Sequence, residues 1–404
     1  IVSWLFALAV SFVSCDDWLD KTPKDRLYPD VYFKTEDELR LFTNQFYNNL
    51  VPSAVDIYSE SSDLIVKSDL MLEMSGQRII PDEGNGWNFT ALRDINFYLQ
   101  YSHNCTEVNA RNRYDGVARF FRAYFYFEKV KRYGDIPWYD KALDSDDPEL
   151  YKARDSREFV MQKTLEDLDF AIANLPKTKN AYVLTRWTAL ALKSRVCLFE
   201  GTFRKYHGLE DYEKYLNACV SASETFMNES GYTLYKSGST PYRDLFASIN
   251  LQADEVIFGR DYEASLSVLH NVQNYENSTT MGRPGMNKKI VNSYLMADGS
   301  RFTDKAGYET MTFDQECQNR DPRLAQTIRT PGYTRIGSTK KEAPNLAYTM
   351  TGYHLIKYSM TANYDEYNKS CNDIPLFRTA EVYLNFAEAK AELGTLKQAD
   401  INKS

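Results

Sequence analysis

Two loop segments of the sequence place aromatic rings beside amides, a combination of side chains that can contact sugars. The segment PDEGNGWNF, residues 81–89, carries Trp87 and Asn88, and its Pro and two Gly disfavour a core strand. The segment NVQNYENSTTMGRPG, residues 271–285, has Tyr275 among asparagines. Aromatic rings stack on the apolar C–H faces of sugars, and amides hydrogen-bond their hydroxyls. These two loops are therefore the candidate ligand contacts.

Trp87 is the leading candidate, because a tryptophan on a Gly-rich loop has few sequence neighbours able to bury it. Its exposure would be unfavourable unless a ligand or a partner covers it. Asn88 beside it can bond a sugar hydroxyl. Tyr275 is the secondary candidate; the alternative is that it packs within its own loop, and we favour that alternative.

The sequence contains no motif that indicates catalysis or a metal site. It lacks HExxH, a P-loop, GxSxG and a CxxC pair. Its four histidines, at positions 103, 207, 270 and 354, show no metal-ligand spacing. Aspartates and glutamates are plentiful, so a glycosidase carboxylate pair stays open as an alternative. We predict a protein that is not an enzyme and that holds neither a cofactor nor a metal.

The composition predicts a globular protein without affinity for nucleic acid. Of its 404 residues, 43% are hydrophobic and 26% are charged, close to the globular average. The formal net charge is −8 and the basic residues form no long run, so nothing attracts a phosphate backbone. Aromatic residues reach 14%. They build a core, and Tyr and Trp also suit the flat apolar faces of ligands.

The N-terminal residues 1–14 are apolar apart from three serines, and Cys15 follows at once. This run is shorter than the roughly 20 residues of a transmembrane helix, and it fits the apolar part of a secretory signal peptide whose start is incomplete. FVSC, residues 12–15, resembles a bacterial lipobox, although Phe12 stands where Leu is usual. We therefore predict that Cys15 is lipidated and holds the chain at a membrane. The alternative is an ordinary signal peptide followed by a structural cysteine.

Helical periodicity dominates the chain after Thr35, which begins a capping-box pattern with Glu38. The strongest pattern places Phe120, Tyr124 and Phe127 on one face, and we expect these three side chains to be buried. The predicted helices run from Thr35 and over residues 114–133, 156–175, 185–200, 210–228 and 378–393.

The predicted fold class is mainly α. Wide apolar faces carrying alanines and aromatics predict antiparallel helix pairs of the tetratricopeptide type, with long loop-rich insertions and a few short strands. Residues 231–377 are rich in Gly, Pro, Asn, Ser and Tyr and form the loop-rich part, with short strands expected at 255–259 and 354–358. We expect an extended lipidated segment over 15–34 and a single domain over 35–404.

Seven blocks of the chain, together with CDDWLD at residues 15–20, resemble successive blocks of the SusD/RagB family, in the family's order. The resemblance covers essentially the whole chain. Since the family usually continues past the last block, residues 395–404 resemble the start of a further, truncated region. The blocks are LRDINFYL (92–99), GVARFFRAYFYFEKVKRYGDIPW (116–138), TRWTALALKSRVCLFEG (185–201), SYLMADGSRF (293–302), RDPRLAQTI (320–328), TGYHLIKY (351–358) and IPLFRTAEVYLNFAEAKAELG (374–394).

The resemblance implies a lipoprotein on the outer membrane of Bacteroidetes, facing the exterior. It would bind oligosaccharides or polysaccharides, or in some members peptides, and deliver them to a SusC-like TonB-dependent transporter. Similar proteins place polar sugar contacts near Asp69 and Arg78, and an acidic pair after the lipidated cysteine, here Asp16 and Asp17, resembles a surface-export signal. The competing hypotheses are a surface glycoside hydrolase and a helical scaffold that binds only proteins.

Three charged residues lie inside the blocks that carry this resemblance. We interpret Arg122, Arg378 and Glu388 as structural, holding helix pairs together, and not as binding residues.

Overall fold

A computed structural model describes residues 32–58, 62–82, 84 and 86–404 of the chain. The predicted lipidation site Cys15, the apolar run before it and the acidic pair Asp16 and Asp17 lie outside the described residues. The predictions made for that segment therefore stay predictions.

The described residues are mainly α-helical, as expected, with short strands. The strands are β1 (Ile65–Val66), β2 (Val256–Arg260), β3 (Gly285–Met286) and β4 (Ile374–Arg378). The helices are α1 (Glu36–Leu50), α2 (Ala54–Tyr58), α3 (Leu72–Ser75), α4 (Thr90–Tyr101), α5 (Val108–Tyr133), α6 (Arg157–Asn174), α7 (Arg186–Tyr206), α8 (Tyr212–Glu229), α9 (Pro241–Ala247), α10 (Val272–Glu276), α11 (Lys288–Ser293), α12 (Phe313–Glu316), α13 (Thr379–Glu392) and α14 (Gln398–Lys403).

The start of α1 confirms the predicted capping box. The Glu38 backbone N–H donates to the Thr35 hydroxyl oxygen at 3.3 Å, and the Thr35 N–H donates to the Glu38 carboxylate at 3.2 Å. The N–H groups at the start of a helix have no helical carbonyl to donate to, and these two hydrogen bonds satisfy the N–H groups of Thr35 and Glu38. The apolar face of α1, with Leu39 and Phe46 buried, packs on α4 and α5.

Helix α5 is the centre of the core. Its 26 residues bury large side chains on more than one face, and Phe120 and Phe127 are among them, as predicted. It begins six residues before the predicted boundary and ends at Gly134, as expected. The expectation that Tyr124 is buried was wrong. Its side chain is half-buried and lines a cavity, because α5 leaves that part of its surface uncovered beside the loop that precedes α4.

Neighbouring helices form antiparallel pairs, α5 with α6 and α7 with α8. A buried ion pair joins the first pair: Asp167 accepts from Arg122 Nε at 2.6 Å and from its Nη2 at 2.8 Å, and Arg119 lies 2.9 Å away. Close approach joins the second, since a Cβ at Gly201 would lie 2.7 Å from Leu216.

Helix α13 packs across α7 and α8 and ties the C-terminal block to the helical core. Arg195 on α7 pairs with Glu381 on α13 at 2.5 Å, and Arg378 just before α13 pairs with Glu255 at 2.7 Å. The interpretation that Arg122 holds a helix pair together is confirmed, whereas Arg378 is structural in a different way, since Glu255 lies just before β2 and not on a helix. Glu388 is exposed and belongs to none of the ion pairs between described residues, so the role expected for it was wrong.

The loop-rich part holds short helices and two-stranded antiparallel pairs. Strand β2 pairs with β4, so that Val256 lies opposite Arg378, and this matches the strand expected at 255–259. The strand expected at 354–358 is absent from the described structure, where His354 and Leu355 make only isolated bridges. Polar side chains of this part are buried in hydrogen-bonded networks that hold its irregular backbone in place.

Candidate binding site

A short stretch of loop before α4, residues 86–89, forms a ridge at the C-terminal end of α5. Gly84 and Gly86 have φ values of +72° and +85°, in the left-handed region that favours glycine. Trp87 N–H donates to Gly84 O at 3.0 Å, and Asn88 N–H donates to Gly86 O at 2.9 Å. The Lys129 ammonium of α5 also donates to the Gly86 carbonyl. The ridge is therefore a tight turn fastened to the helix end.

A side chain at the Gly86 position would be crowded, and the left-handed φ there would strain it. A Cβ there would lie 3.3 Å from both Arg132 Nη1 and the Tyr133 hydroxyl oxygen. The glycine thus allows the ridge backbone to lie directly on the last turn of α5, and this contact sets the position of Trp87.

Trp87 is 40% exposed, and tertiary neighbours cover the rest of it. The rings of Phe89 and Tyr133 meet it edge-on at centroid distances of 5.3 and 5.0 Å, and the Arg154 guanidinium lies 4.9 Å from its ring centre. The sequence offered few neighbours to bury this side chain. The fold supplies them from the end of α5 and from the long α5–α6 connection.

Trp87 opens into a cavity of about 520 Å³, which we call the Trp87 cleft. Its aromatic wall is Trp87, Phe89 and Tyr139. Its charged lining is entirely basic and consists of Arg93, Lys141, Lys152 and Arg154. This volume lies in the usual range of small-molecule sites, about 300–1,000 Å³.

Asn88 lies on the other side of the ridge. Gly86 and Asn88 line a second, larger cavity of about 1,110 Å³, the Asn88 cleft. The Asn88 side-chain oxygen accepts from Thr90 N at 2.8 Å and so helps to begin α4.

The Asn88 cleft has mixed charge, in contrast to its neighbour. Burial raises the pKa of Asp94 in its wall, and burial together with Arg132 lowers the pKa of Lys129. The charged residues that line it are Asp56, Asp94, Glu128, Lys129, Lys131, Arg132 and Arg260.

The predicted contacts Asp69 and Arg78 lie on an exposed segment, residues 67–82, and line neither cleft. Arg78 Nε lies 3.5 Å from the carboxylate of Glu73 on the same segment. Their role in binding stays a prediction.

Tyr275 lies in α10, a five-residue helix, and only 3% of it is exposed. It borders a separate cavity of about 440 Å³, beside Glu276, whose pKa burial raises to about 7. The structure therefore places Trp87 and Asn88 on two sides of one ridge and places Tyr275 elsewhere. This burial agrees with the alternative that Tyr275 packs within its own segment.

Five charged or aromatic residues of the Trp87 cleft were missed by the sequence reasoning: Arg93, Tyr139, Lys141, Lys152 and Arg154. Four of them belong to the connection between α5 and α6, residues 134–156. A connection of that length with little secondary structure is often functional, and this was the signal that could have found them.

Two kinds of feature are absent from the part of the chain that the structure describes. No group of three or more His, Cys, Asp or Glu side chains there could hold a metal ion. No helix there is both long and apolar enough to span a bilayer.

Two family models match separate parts of the chain. The model of the SusD family matches residues 245–403, and a model described as starch-binding associating with outer membrane matches residues 76–186. The second match contains the ridge and every residue that lines the Trp87 cleft. In both regions the chain is similar to the SusD/RagB family.

Relatives and solved structures agree with this family. Two SusD-like proteins of Formosa agariphila are 26% and 23% identical to the chain, each over 96% of it and 76% of the relative. A SusD-like protein of Bacteroides fragilis superposes with a TM-score of 0.72 at 21% identity, over 95% of this chain and 80% of that one. A SusD-like carbohydrate binding protein of the same species gives a TM-score of 0.71 at 18% identity, over 92% and 77%. The fold is thus that of SusD-like proteins.

Proposed function

We propose that the protein captures oligosaccharides in the Trp87 cleft at the cell surface and delivers them to a SusC-like TonB-dependent transporter. The observation that carries this proposal is the aromatic wall of the cleft, formed by Trp87, Phe89 and Tyr139. Apolar faces of sugar rings can lie against such a wall while basic side chains donate to their hydroxyls. The whole cleft falls inside the match to the starch-binding model.

The lining of the Trp87 cleft supports binding without hydrolysis. Most glycoside hydrolases use two carboxylates that flank the scissile bond. None of the described residues lining the Trp87 cleft is Asp or Glu. Carboxylates such as Asp94 and Glu128 do line the Asn88 cleft across the ridge, so an experiment on capture must also measure hydrolysis.

The test of capture is incubation with a panel of soluble polysaccharides, read in two ways. Affinity electrophoresis measures retention, and chromatography of the incubated mixture detects shortened products. Retention without products is expected. Product release would make the protein a hydrolase, and neither retention nor products across the panel would favour the peptide-binding or protein-scaffold alternative.

Outer-membrane attachment is the second part of the proposal and rests on the sequence around Cys15. Cys15→Ala should release the protein in soluble form, because a lipidated cysteine is the only anchor that the proposal supplies. Fractionation with palmitate labelling measures this. A Cys15→Ala protein that still labels and stays with membranes would contradict it. Replacing Asp16 and Asp17 together should leave the protein lipidated but protected from protease added to whole cells.

Delivery to a transporter is tested by association. The full-length protein should copurify with a TonB-dependent transporter encoded beside it when membranes are solubilised in mild detergent. Purification of the lipidated protein alone, with the transporter present in the same membranes, would contradict this part of the proposal.

A further inference from the structure

The charges around the Trp87 cleft are opposite in sign to the protein as a whole. The chain has 48 basic and 56 acidic residues, a net charge of −8. The cleft nevertheless has four basic side chains in its lining and no acidic one among the described residues. Across the ridge, the Asn88 cleft mixes both signs. The positive lining is therefore a local property of one cavity.

Two of the four basic side chains are already neutralised. Lys141 Nζ lies 3.1 Å from the Glu149 carboxylate. Lys152 Nζ lies 3.0 Å from Asp155 and donates to the Trp138 carbonyl at 2.6 Å. These carboxylates bind the lysines and contribute no lining of their own, so the lysines add little net charge to the cavity.

The other two, Arg93 and Arg154, belong to none of the ion pairs between described residues. Arg93 donates from Nε to the Leu143 carbonyl at 3.2 Å, which orients its guanidinium. Arg154 lies over the Trp87 ring at 4.9 Å. The charge of Arg93 lowers the pKa of Asp94, which burial raises more strongly, but Asp94 lines the opposite cleft. Both guanidinium groups are exposed, oriented by neighbours and without a carboxylate partner.

We propose that the ligand of the Trp87 cleft is an anionic oligosaccharide, with Arg93 and Arg154 as the residues that bind its charged substituents. A guanidinium presents parallel N–H groups that match a carboxylate or a sulfate in bidentate fashion. A sugar ring against Trp87 places its substituents beside Arg154, which already contacts that indole. The proposal rests on oligosaccharide binding at this cleft, and it selects the charged class of sugars.

The experiment compares three probes of equal length by calorimetric titration: an oligogalacturonate, a sulfated carrageenan oligosaccharide and a neutral malto-oligosaccharide. At 50 mM NaCl we expect at least one anionic probe to bind about tenfold more tightly than the neutral one. Raising NaCl to 300 mM should remove most of that difference, because salt screens exposed charges. Comparing the two anionic probes distinguishes recognition of carboxylate from recognition of sulfate.

Three variants complete the test. Arg93→Gln and Arg154→Gln should each weaken anionic binding about tenfold and weaken malto-oligosaccharide binding much less, because the glutamine amide still donates to a sugar hydroxyl but carries no charge. Arg301→Gln is the matched control, since this arginine is 74% exposed, pairs only with Asp304 in its own turn and lies outside both clefts. Its affinities should equal those of the natural protein, and melting curves should show all three variants folded.

The outcomes separate this inference from the proposed function. If the neutral probe binds at least as tightly as both anionic probes, or if anionic binding is unchanged in both cleft variants, the inference is overturned and oligosaccharide capture stands. If the natural protein binds none of the three probes and none of the polysaccharide panel, both are overturned.

Discussion

Replacing Trp87 by alanine is the most direct test of the cleft, and the structure gives two magnitudes for it. A fully buried tryptophan replaced by alanine costs roughly 3–5 kcal/mol of stability. Trp87 is 40% exposed, so the lost contacts with Phe89, Tyr133 and Arg154 should cost about 2 kcal/mol. The protein should remain folded, with a modestly lower melting temperature.

Trp87→Ala should also weaken oligosaccharide binding directly, because the stacking surface is lost. Stacking of an aromatic ring on a sugar face contributes on the order of 1–2 kcal/mol, and about 1.4 kcal/mol is a factor of ten in affinity. Trp87→Ala should therefore weaken binding of a retained oligosaccharide at least about tenfold in a calorimetric titration, while Trp87→Phe should keep part of it. Tyr367→Ala serves as the control, because this side chain is 70% exposed and lines neither cleft.

Two results would refute this reasoning. Affinity within twofold of the natural protein would place the sugar somewhere other than the Trp87 wall. Loss of the folded state, seen as a missing cooperative melting transition, would mean that Trp87 is part of the core and that its effect on binding is indirect.

Phe127→Ala should lower the free energy of unfolding by roughly 3–5 kcal/mol, because the side chain is 1% exposed in α5; urea unfolding measures it, and an unchanged midpoint would contradict the core position. Asp167→Ala should cost a similar roughly 3–5 kcal/mol by leaving buried arginine charge unpaired, whereas a loss under about 1 kcal/mol would contradict that pairing. Acidification from pH 7 to pH 5 should cost about 2 kcal/mol for each of His270 and His354, whose pKa values burial lowers to about 4 and about 3. The unfolded imidazole takes up its proton near pH 6.5 and the folded one does not, so this stability is complete above pH 6.5 and is lost as the pH falls towards the folded pKa values. Glu276, with its pKa raised by burial to about 7, acts oppositely between pH 4.5 and 7, so Glu276→Gln should show a larger acid loss; urea titrations at both pH values that show no loss would contradict the assignment.

The helices could be predicted because their signals are local. Apolar side chains three and four positions apart, a capping box at Thr35 and a glycine at 134 all lie within a few residues of the boundaries that they mark. The start of α5 was missed by six residues, since its first turns carry polar side chains without a clear stripe. Strand β4 was missed because its five residues run directly into the strong helical pattern of α13.

The binding site could be predicted only in part. Trp87 was found from its own loop, but its partners Arg93, Tyr139 and Arg154 come from α4 and from the connection after α5. No periodicity links residues so far apart, because their proximity depends on how the helices pack. Asn88 was expected to support Trp87 and instead lines the cavity on the opposite side of the ridge, because the tight turn at Gly84 and Gly86 directs the two neighbouring side chains to different sides.

The ridge couples the two clefts mechanically, and this limits how new specificity can arise. A side chain at Gly86 would be strained by the left-handed φ of +85° and would crowd Arg132 and Tyr133 at 3.3 Å, so it would disturb the turn that carries both Trp87 and Asn88. Any such change would alter both cavities at once. Substitutions in the lining alter a single cavity and leave the shared wall in place. Sequence divergence among proteins with this ridge should therefore concentrate in the cleft linings while its glycine persists.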